Sequence, residues 1–169
     1  MRIEELFIVF LIGILLWMLW PLAIGAGWTP TPKKVVKKML DLAEVGSGDT
    51  LYDLGSGDGR IIFMAAEEFG AKAIGIEADP LRVLWTLIWI RLKGLEDQVR
   101  VLFGNFFWID LSTATVVSVF QSTKVNYKLI DKLLRELEPG TRVVSYSFTF
   151  DGWKPMKVDE SSKLFLYEI

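Results

Sequence analysis

The stretch Leu51-Tyr-Asp-Leu-Gly-Ser-Gly-Asp-Gly-Arg60 decides how the whole chain is read. An apolar, strand-like run ends at Asp53. Glycines follow at 55, 57 and 59, and a helix-like run then extends from Ile61 to Phe69. Strand, glycine turn and helix together open a nucleotide-binding α/β unit. The glycines permit positive φ in a tight turn and let a ligand touch backbone where a Cβ would collide. A dinucleotide fold would space them G-x-G-x-x-G and set a pyrophosphate on the helix N-terminus. Here the pattern is D-x-G-x-G-x-G. A carboxylate two residues ahead of the first glycine repels a pyrophosphate and attracts a cationic amine.

A second acid lies where such a fold needs one. Residues 71–77 (Ala-Lys-Ala-Ile-Gly-Ile-Glu) read as the next strand, and Ala78-Asp79-Pro80 ends it. Glu77 at that strand tip can accept hydrogen bonds from both hydroxyls of a ribose. It stands 18 positions beyond Gly59, near the expected ~20.

The rest of the chain alternates in the same way. Thr31 and Pro32 have the form of a helix cap and first helical position. Val35, Val36, Met39, Leu40, Leu42 and Ala43 then recur at helical spacing. Residues 81–93 read as an unusually apolar helix stopped by Gly94, and 99–103 as a third strand with Gly104-Asn105-Phe106 at its tip. Residues 114–120 form a continuous β-branched run, the mark of a buried central strand. Residues 125–138 read as a helix with Leu129, Leu133, Leu134 and Leu137 inward, and 141–150 as a fifth strand. Residues 156–158 and 163–169 close the chain as a hairpin. The expected fold class is α/β, a three-layer sandwich on a seven-stranded Rossmann-like sheet. The layer after the fifth strand should be thin, because the crossover there is too short for a full helix.

Composition narrows the chemistry. With 169 residues there is room for one domain and little more. The chain holds no cysteine and no histidine, so no disulfide framework, thiolate site or metal site is expected. Asn occurs only at 105 and 126 and Gln only at 98 and 121, a sparing use of thermolabile residues that suggests a thermophile. The net charge of -2 lacks the basic footprint of a nucleic-acid enzyme, so nucleic acid is an unlikely partner.

The N-terminus stands apart. Residues 6–32 carry no charge, and residues 7–24 are almost wholly apolar, in a chain whose mean hydropathy is +0.35. That is long enough to cross a hydrocarbon core of ~30 Å. Trp17, Trp20 and Trp28 gather toward the far end as an interfacial belt would, and Pro21 kinks or ends the helix. Lys33, Lys34, Lys37 and Lys38 follow, which places the domain on the cytoplasmic side by the positive-inside bias. The expected division is a membrane anchor at 1–28, contacting the bilayer through 6–27, and a catalytic domain at 29–169. A cleaved signal peptide, with residues 23–27 as its cleavage site, and a helix docked on protein are the rival readings.

The glycine stretch resembles motif I of the class I S-adenosylmethionine methyltransferases. The resemblance implies the strand order 3-2-1-4-5-7-6 and S-adenosylmethionine as cofactor, released as S-adenosylhomocysteine. It places Asp53 near the amino group of the methionine moiety, with Leu54, Gly55, Ser56, Gly57, Asp58 and Gly59 around the cofactor. Glu77 and Ala78 then meet the ribose. Asn105 takes the adenine amino group through its amide oxygen, where the family commonly has an acid, beside Phe106.

Further elements narrow the resemblance. Thr29-Pro-Thr-Pro32, Gly75-Ile-Glu-Ala-Asp-Pro80, and Gly140-Thr-Arg-Val-Val-Ser145 with Gly152-Trp153 look like the archaeal broad-specificity protein-lysine methyltransferases. Mitochondrial relatives of that family are membrane-anchored and act on membrane proteins. The resemblance covers residues ~29–158. It implies protein substrates with exposed lysines, including membrane proteins. The Asp/Asn-Pro-Pro-Tyr signature of amino-base methyltransferases is absent after the fourth strand, where Phe120-Gln-Ser-Thr123 stands. Thr29, Thr31, Gln121, Ser122, Asn126, Ser145 and Tyr146 are the candidates to line the acceptor channel. Methyl transfer to nucleic acid or to a small molecule, and a non-catalytic cofactor-binding module, are the alternatives.

Overall fold

The computed structural model describes residues 2–23 and 29–169, with side chains described for 2–15 and 29–169. After the N-terminal helix α1 (Ile3–Ala23) come α2 (Lys33–Leu42), β1 (Thr50–Leu54), α3 (Arg60–Phe69), β2 (Lys72–Glu77), α4 (Pro80–Lys93) and β3 (Val99–Phe103). Then follow β4 (Val116–Val119), α5 (Thr123–Glu136), β5 (Arg142–Tyr146), β6 (Lys157–Asp159) and β7 (Leu164–Glu168). The seven strands form one sheet in the order 3-2-1-4-5-7-6. Strands β1 to β5 pair parallel, while β7 pairs antiparallel with β5 and β6.

Strand periodicity sends alternate residues to opposite layers. Leu51, Ala73, Val99, Val116 and Val144 meet α2, α3 and Ile90 of α4 on one face. Tyr52, Leu54, Ile76, Val117 and Val143 meet Leu129, Leu133 and Leu137 on the other. Helix α5 is the one helix of that second face among the described residues. Leu111, Ala114 and Phe150 from loops fill the remaining space, so the layer is thin, as its short connections require.

The boundaries differ from the sequence reading at four places. Pro32 is the N-cap of α2 rather than its first residue, and no side chain caps that helix end. Residues 114 and 115 precede β4 instead of opening it. Strand β5 stops at Tyr146, because Ser147 turns to a φ of 69° and donates its N–H to the Lys163 carbonyl. On α5, Leu134 faces outward, 56% exposed, while Lys132 is buried. The inward stripe is 126, 129, 133 and 137, and residue 134 stands ~100° from it. Lys132 is tolerated inside because Nζ donates to the Ile109 carbonyl at 2.8 Å and pairs with Glu136 at 2.5 Å.

Among the described residues, no helix is long and apolar enough to cross a membrane. Helix α1 has 21 residues, but its described side chains, residues 3–15, span only about 20 Å. Residues 24–28, with Trp28, and the side chains of Trp17, Trp20 and Pro21 lie outside the described residues. The backbone stays helical through Pro21 to Ala23, so that proline does not end the helix.

Candidate functional site

A cavity of about 660 Å³ opens at the C-terminal tips of the parallel strands, where the order reverses between β1 and β4. That is the position at which open α/β sheets bind ligands. One half lies over β1, β2 and β3, and the other over the exits of β4 and β5.

The first half is built from charge and backbone. Asp53 ends β1 opposite Ser118 of β4, whose hydroxyl donates to Asp53 Oδ1 at 2.7 Å. Burial lifts the Asp53 pKa to about 7; the Ser118 bond opposes this, and the nearby Glu77 and Asp58 carboxylates add to it. Glycines 55, 57 and 59 all have positive φ. A Cβ on Gly55 would come within 2.6 Å of Gln121 Nε2, so the loop needs glycine on two counts.

Glu77 fastens this loop to β2. Its Oε2 accepts the Gly57 N–H at 2.7 Å and its Oε1 accepts the Asp79 N–H at 2.9 Å. Each carboxylate oxygen keeps a lone pair that can face the cavity. Asp79 in turn caps α4 by accepting the Leu81 N–H. Beyond β3, Asn105 Oδ1 accepts the Phe107 N–H at 3.0 Å, an Asx turn that leaves one lone pair.

Arg60 clips the entering chain to the glycine loop. It holds Asp58 with two bonds, 2.9 and 2.5 Å, and donates to the Thr31 carbonyl at 2.7 Å. Burial raises the Asp58 pKa, but the bonds and charge of Arg60 outweigh it and hold the carboxyl below its usual range. Thr29, Pro30 and Thr31 thereby become part of the cavity wall.

The second half is aromatic and uncharged. Phe120, Gln121, Ser122, Val125 and Phe148 line it. Phe120 stacks on Phe148 at 6.3 Å and tilts against Tyr146 at 4.6 Å. Gln121 Nε2 donates to the Leu54 carbonyl at 2.9 Å, tying the β4 exit to β1.

The family model for the ANTKMT methyltransferase domain matches residues 53–157. The chain belongs to this family. It is 48% identical over 132 residues to a protein-lysine N-methyltransferase of Saccharolobus islandicus (strain REY15A), covering 78% of this chain and 82% of that protein. An ATP synthase lysine N-methyltransferase of Homo sapiens is 29% identical over 128 residues, 76% of this chain. The match spans 54% of that longer protein. A crystal structure of an RNA methyltransferase from Salinibacter ruber in complex with S-adenosyl-L-homocysteine has a TM-score of 0.81 and 43% identity. It covers 83% of this chain and 94% of that one.

Within the family fold, the residues expected around the cofactor fall into two groups. Asp53, Gly55, Ser56, Gly57, Asp58, Glu77, Ala78, Asn105 and Phe106 line the cavity. Leu54 and Gly59 stand behind it: Leu54 offers its carbonyl to Gln121, and Gly59 starts α3, where a Cβ would meet Phe63 at 2.7 Å. Of the acceptor candidates, Thr29, Thr31, Gln121 and Ser122 line the cavity. Asn126, Ser145 and Tyr146 do not. Asn126 Nδ2 reaches the Phe148 and Thr149 carbonyls at 3.2 and 3.3 Å, and Ser145 Oγ donates to the Phe148 carbonyl at 2.5 Å. They fasten the segment that carries Phe148. Sequence reading missed Ser118, Arg60, Phe120 and Phe148. For Ser118 a signal existed, a lone hydroxyl inside the run Val-Val-Ser-Val.

Proposed function

We propose that the protein transfers methyl groups from S-adenosylmethionine to lysine ε-amines of other proteins, with residues 29–169 as catalytic domain and residues 1–28 as membrane anchor. That it is a methyltransferase using S-adenosylmethionine follows from its family and its fold. The residues present fit this cofactor. Ser56 Oγ is buried without a partner beside the glycine loop, Asp53 suits a cationic amine, and Glu77 has lone pairs for ribose hydroxyls. The cofactor supplies an electrophilic methyl group on a sulfonium.

The observation that carries the lysine reading is the aromatic, uncharged half of the cavity. Phe120 and Phe148 favour the alkyl chain and ammonium of a lysine through apolar contact and cation–π attraction. A dry wall also lowers an amine's pKa, so proton loss to water leaves a nucleophile without an enzyme base. That suits a chain with no histidine. The wall has to align the amine and exclude water. The protein-lysine activity of the Saccharolobus islandicus relative supports the same reading.

The Salinibacter ruber structure, described as an RNA methyltransferase, favours a second reading, methylation of RNA. Against it stands charge: of the two arginines at the cavity, Arg60 pairs with Asp58 and Arg82 with Asp79. The chain as a whole is at -2, so it offers little to a phosphate backbone. Incubation with labelled cofactor and either native or lysine-acetylated lysate proteins tests the proposal. Label should enter native protein and fall to background after acetylation. Equal labelling of both, or label released by nuclease, refutes it.

The membrane reading is supported by α1, whose described side chains, residues 2–15, are all exposed and nearly all apolar from Leu6 onward. We place the domain on the cytoplasmic side, where lysines 33, 34, 37 and 38 follow the apolar run. Carbonate extraction should leave full-length protein in the membrane fraction, and its release into the soluble fraction would end this part.

A further inference from the structure

Helix α4 is buried on one side only. Val83, Thr86 and Ile90 pack on the sheet, and the opposite face of a surface helix should then be polar. Here it is not. Leu81, Leu84, Trp85, Ile88 and Leu92 recur at i, i+3, i+4, i+7 and i+11, and each is between 48% and 70% exposed. Trp89 flanks this stripe, 5.7 Å from Trp85 ring to ring. The helix contains no acidic residue; Arg82 sits near its start, and Arg91 and Lys93 lie in its last turn.

We infer that α4 lies in the plane of a lipid bilayer, its outer face at the headgroup–acyl boundary, as a second membrane contact beside α1. The inference deepens the membrane reading above and rests on it. Three observations select lipid as the occupant. Fourteen residues give about 21 Å, too short to cross but suited to lying flat. Tryptophans on an apolar face with basic residues toward the helix ends are the pattern of an interfacial helix. The third observation is α1 itself, apolar on every described side. Docking α1 on α4 would cover one side of α1 and leave the rest in water. Pairing α4 with a second copy would leave α1 uncovered altogether. A bilayer covers both helices.

The consequence is orientation. Arg82 and Thr29 both line the cavity, one near the start of α4 and the other close after α1. A domain held at both points faces its cavity toward acceptors at the membrane surface.

The chain has no cysteine, so single spin labels report cleanly. Full-length protein carrying Ile88→Cys, Phe10→Cys or Lys128→Cys is labelled in vesicles of phosphatidylcholine and phosphatidylglycerol. Collision with oxygen and with a water-soluble nickel chelate is then measured. The oxygen-to-nickel ratio at 88 should match that at 10 and exceed that at 128 severalfold. A ratio at 88 equal to that at 128, with 10 in lipid, overturns the inference and leaves the anchor standing. A label at 88 shielded from both reagents means protein contact and also overturns it. Label 10 in water with 88 in lipid removes the anchor and upholds α4 as a membrane contact.

Discussion

At one end of the cavity, Asp53 and Glu77 are almost fully buried and held by directed bonds from Ser118, Gly57 and Asp79. At the other, Phe120, Phe148 and Val125 offer ring and methyl surface, with Gln121 and Ser122 as the polar groups. The two ends follow different physics. A fixed cofactor, the same in each turnover, rewards rigid polar complementarity, because each unpaired buried group costs ~1–3 kcal/mol. An acceptor side chain that arrives from many proteins is served better by non-directional apolar contact.

The largest expected contrast comes from Glu77→Ala. It removes the acceptor for the ribose hydroxyls and also leaves the Gly57 and Asp79 N–H groups unpaired. Cofactor binding should weaken by ~1.5–3 kcal/mol in calorimetry, as for bonds to charged groups. Glu77→Gln, which keeps one carbonyl oxygen, should lose less. If Glu77→Ala bound the cofactor like wild type, the polar half would not be the cofactor half.

The pH dependence comes next. Asp53 has a pKa of about 7, raised by burial from 3.8, so it holds a proton more tightly folded than unfolded. Its ionisation therefore lowers the stability of the ligand-free protein as pH rises from about 4 to 7. The cationic amine of the cofactor needs the ionised form, so below pH ~7 binding must displace a proton. The dissociation constant should rise by up to ~10-fold per pH unit between about 7 and 5. Asp53→Asn should flatten that slope. Calorimetry across this range checks both, and a wild-type slope of zero would show that Asp53 does not meet the amine.

Phe148→Ala should give the smallest effect and the one most confined to the second half. Loss of one cation–π partner is worth ~0.5–1 kcal/mol at a partly exposed site. The KM for a lysine-bearing acceptor should rise a few-fold with cofactor affinity unchanged. A change in cofactor affinity instead would erase the division between the two halves.

The same division governs how much could be read from sequence. The polar half was legible because its parts are local: Asp53 and the glycines lie within seven residues, and Glu77 falls at a spacing set by one helix and one strand. Strand order followed from the resemblance, and element identity followed from periodicity. The acceptor half was not legible. Phe120 and Phe148 meet only because β4 and β5 pair in register, Val119 opposite Ser145, and because Ser147 turns the chain back. Asn126 and Ser145 have the right polarity for a channel, but they are drawn to free carbonyls of that turn. The outward face of α4 shows why apolar periodicity alone misleads. The sequence showed a helix apolar all round, and only the packing of Val83, Thr86 and Ile90 reveals which side lacks a partner.

The most direct test of the account is the chemical identity of the methylated product. Purified full-length protein is incubated with labelled S-adenosylmethionine and membrane-containing lysate, the products are hydrolysed, and the methylated species are identified by mass spectrometry. The account predicts methyl-lysine as the labelled species, with S-adenosylhomocysteine formed in step. Methylated nucleosides, methyl-arginine or labelled small molecules without methyl-lysine would contradict it.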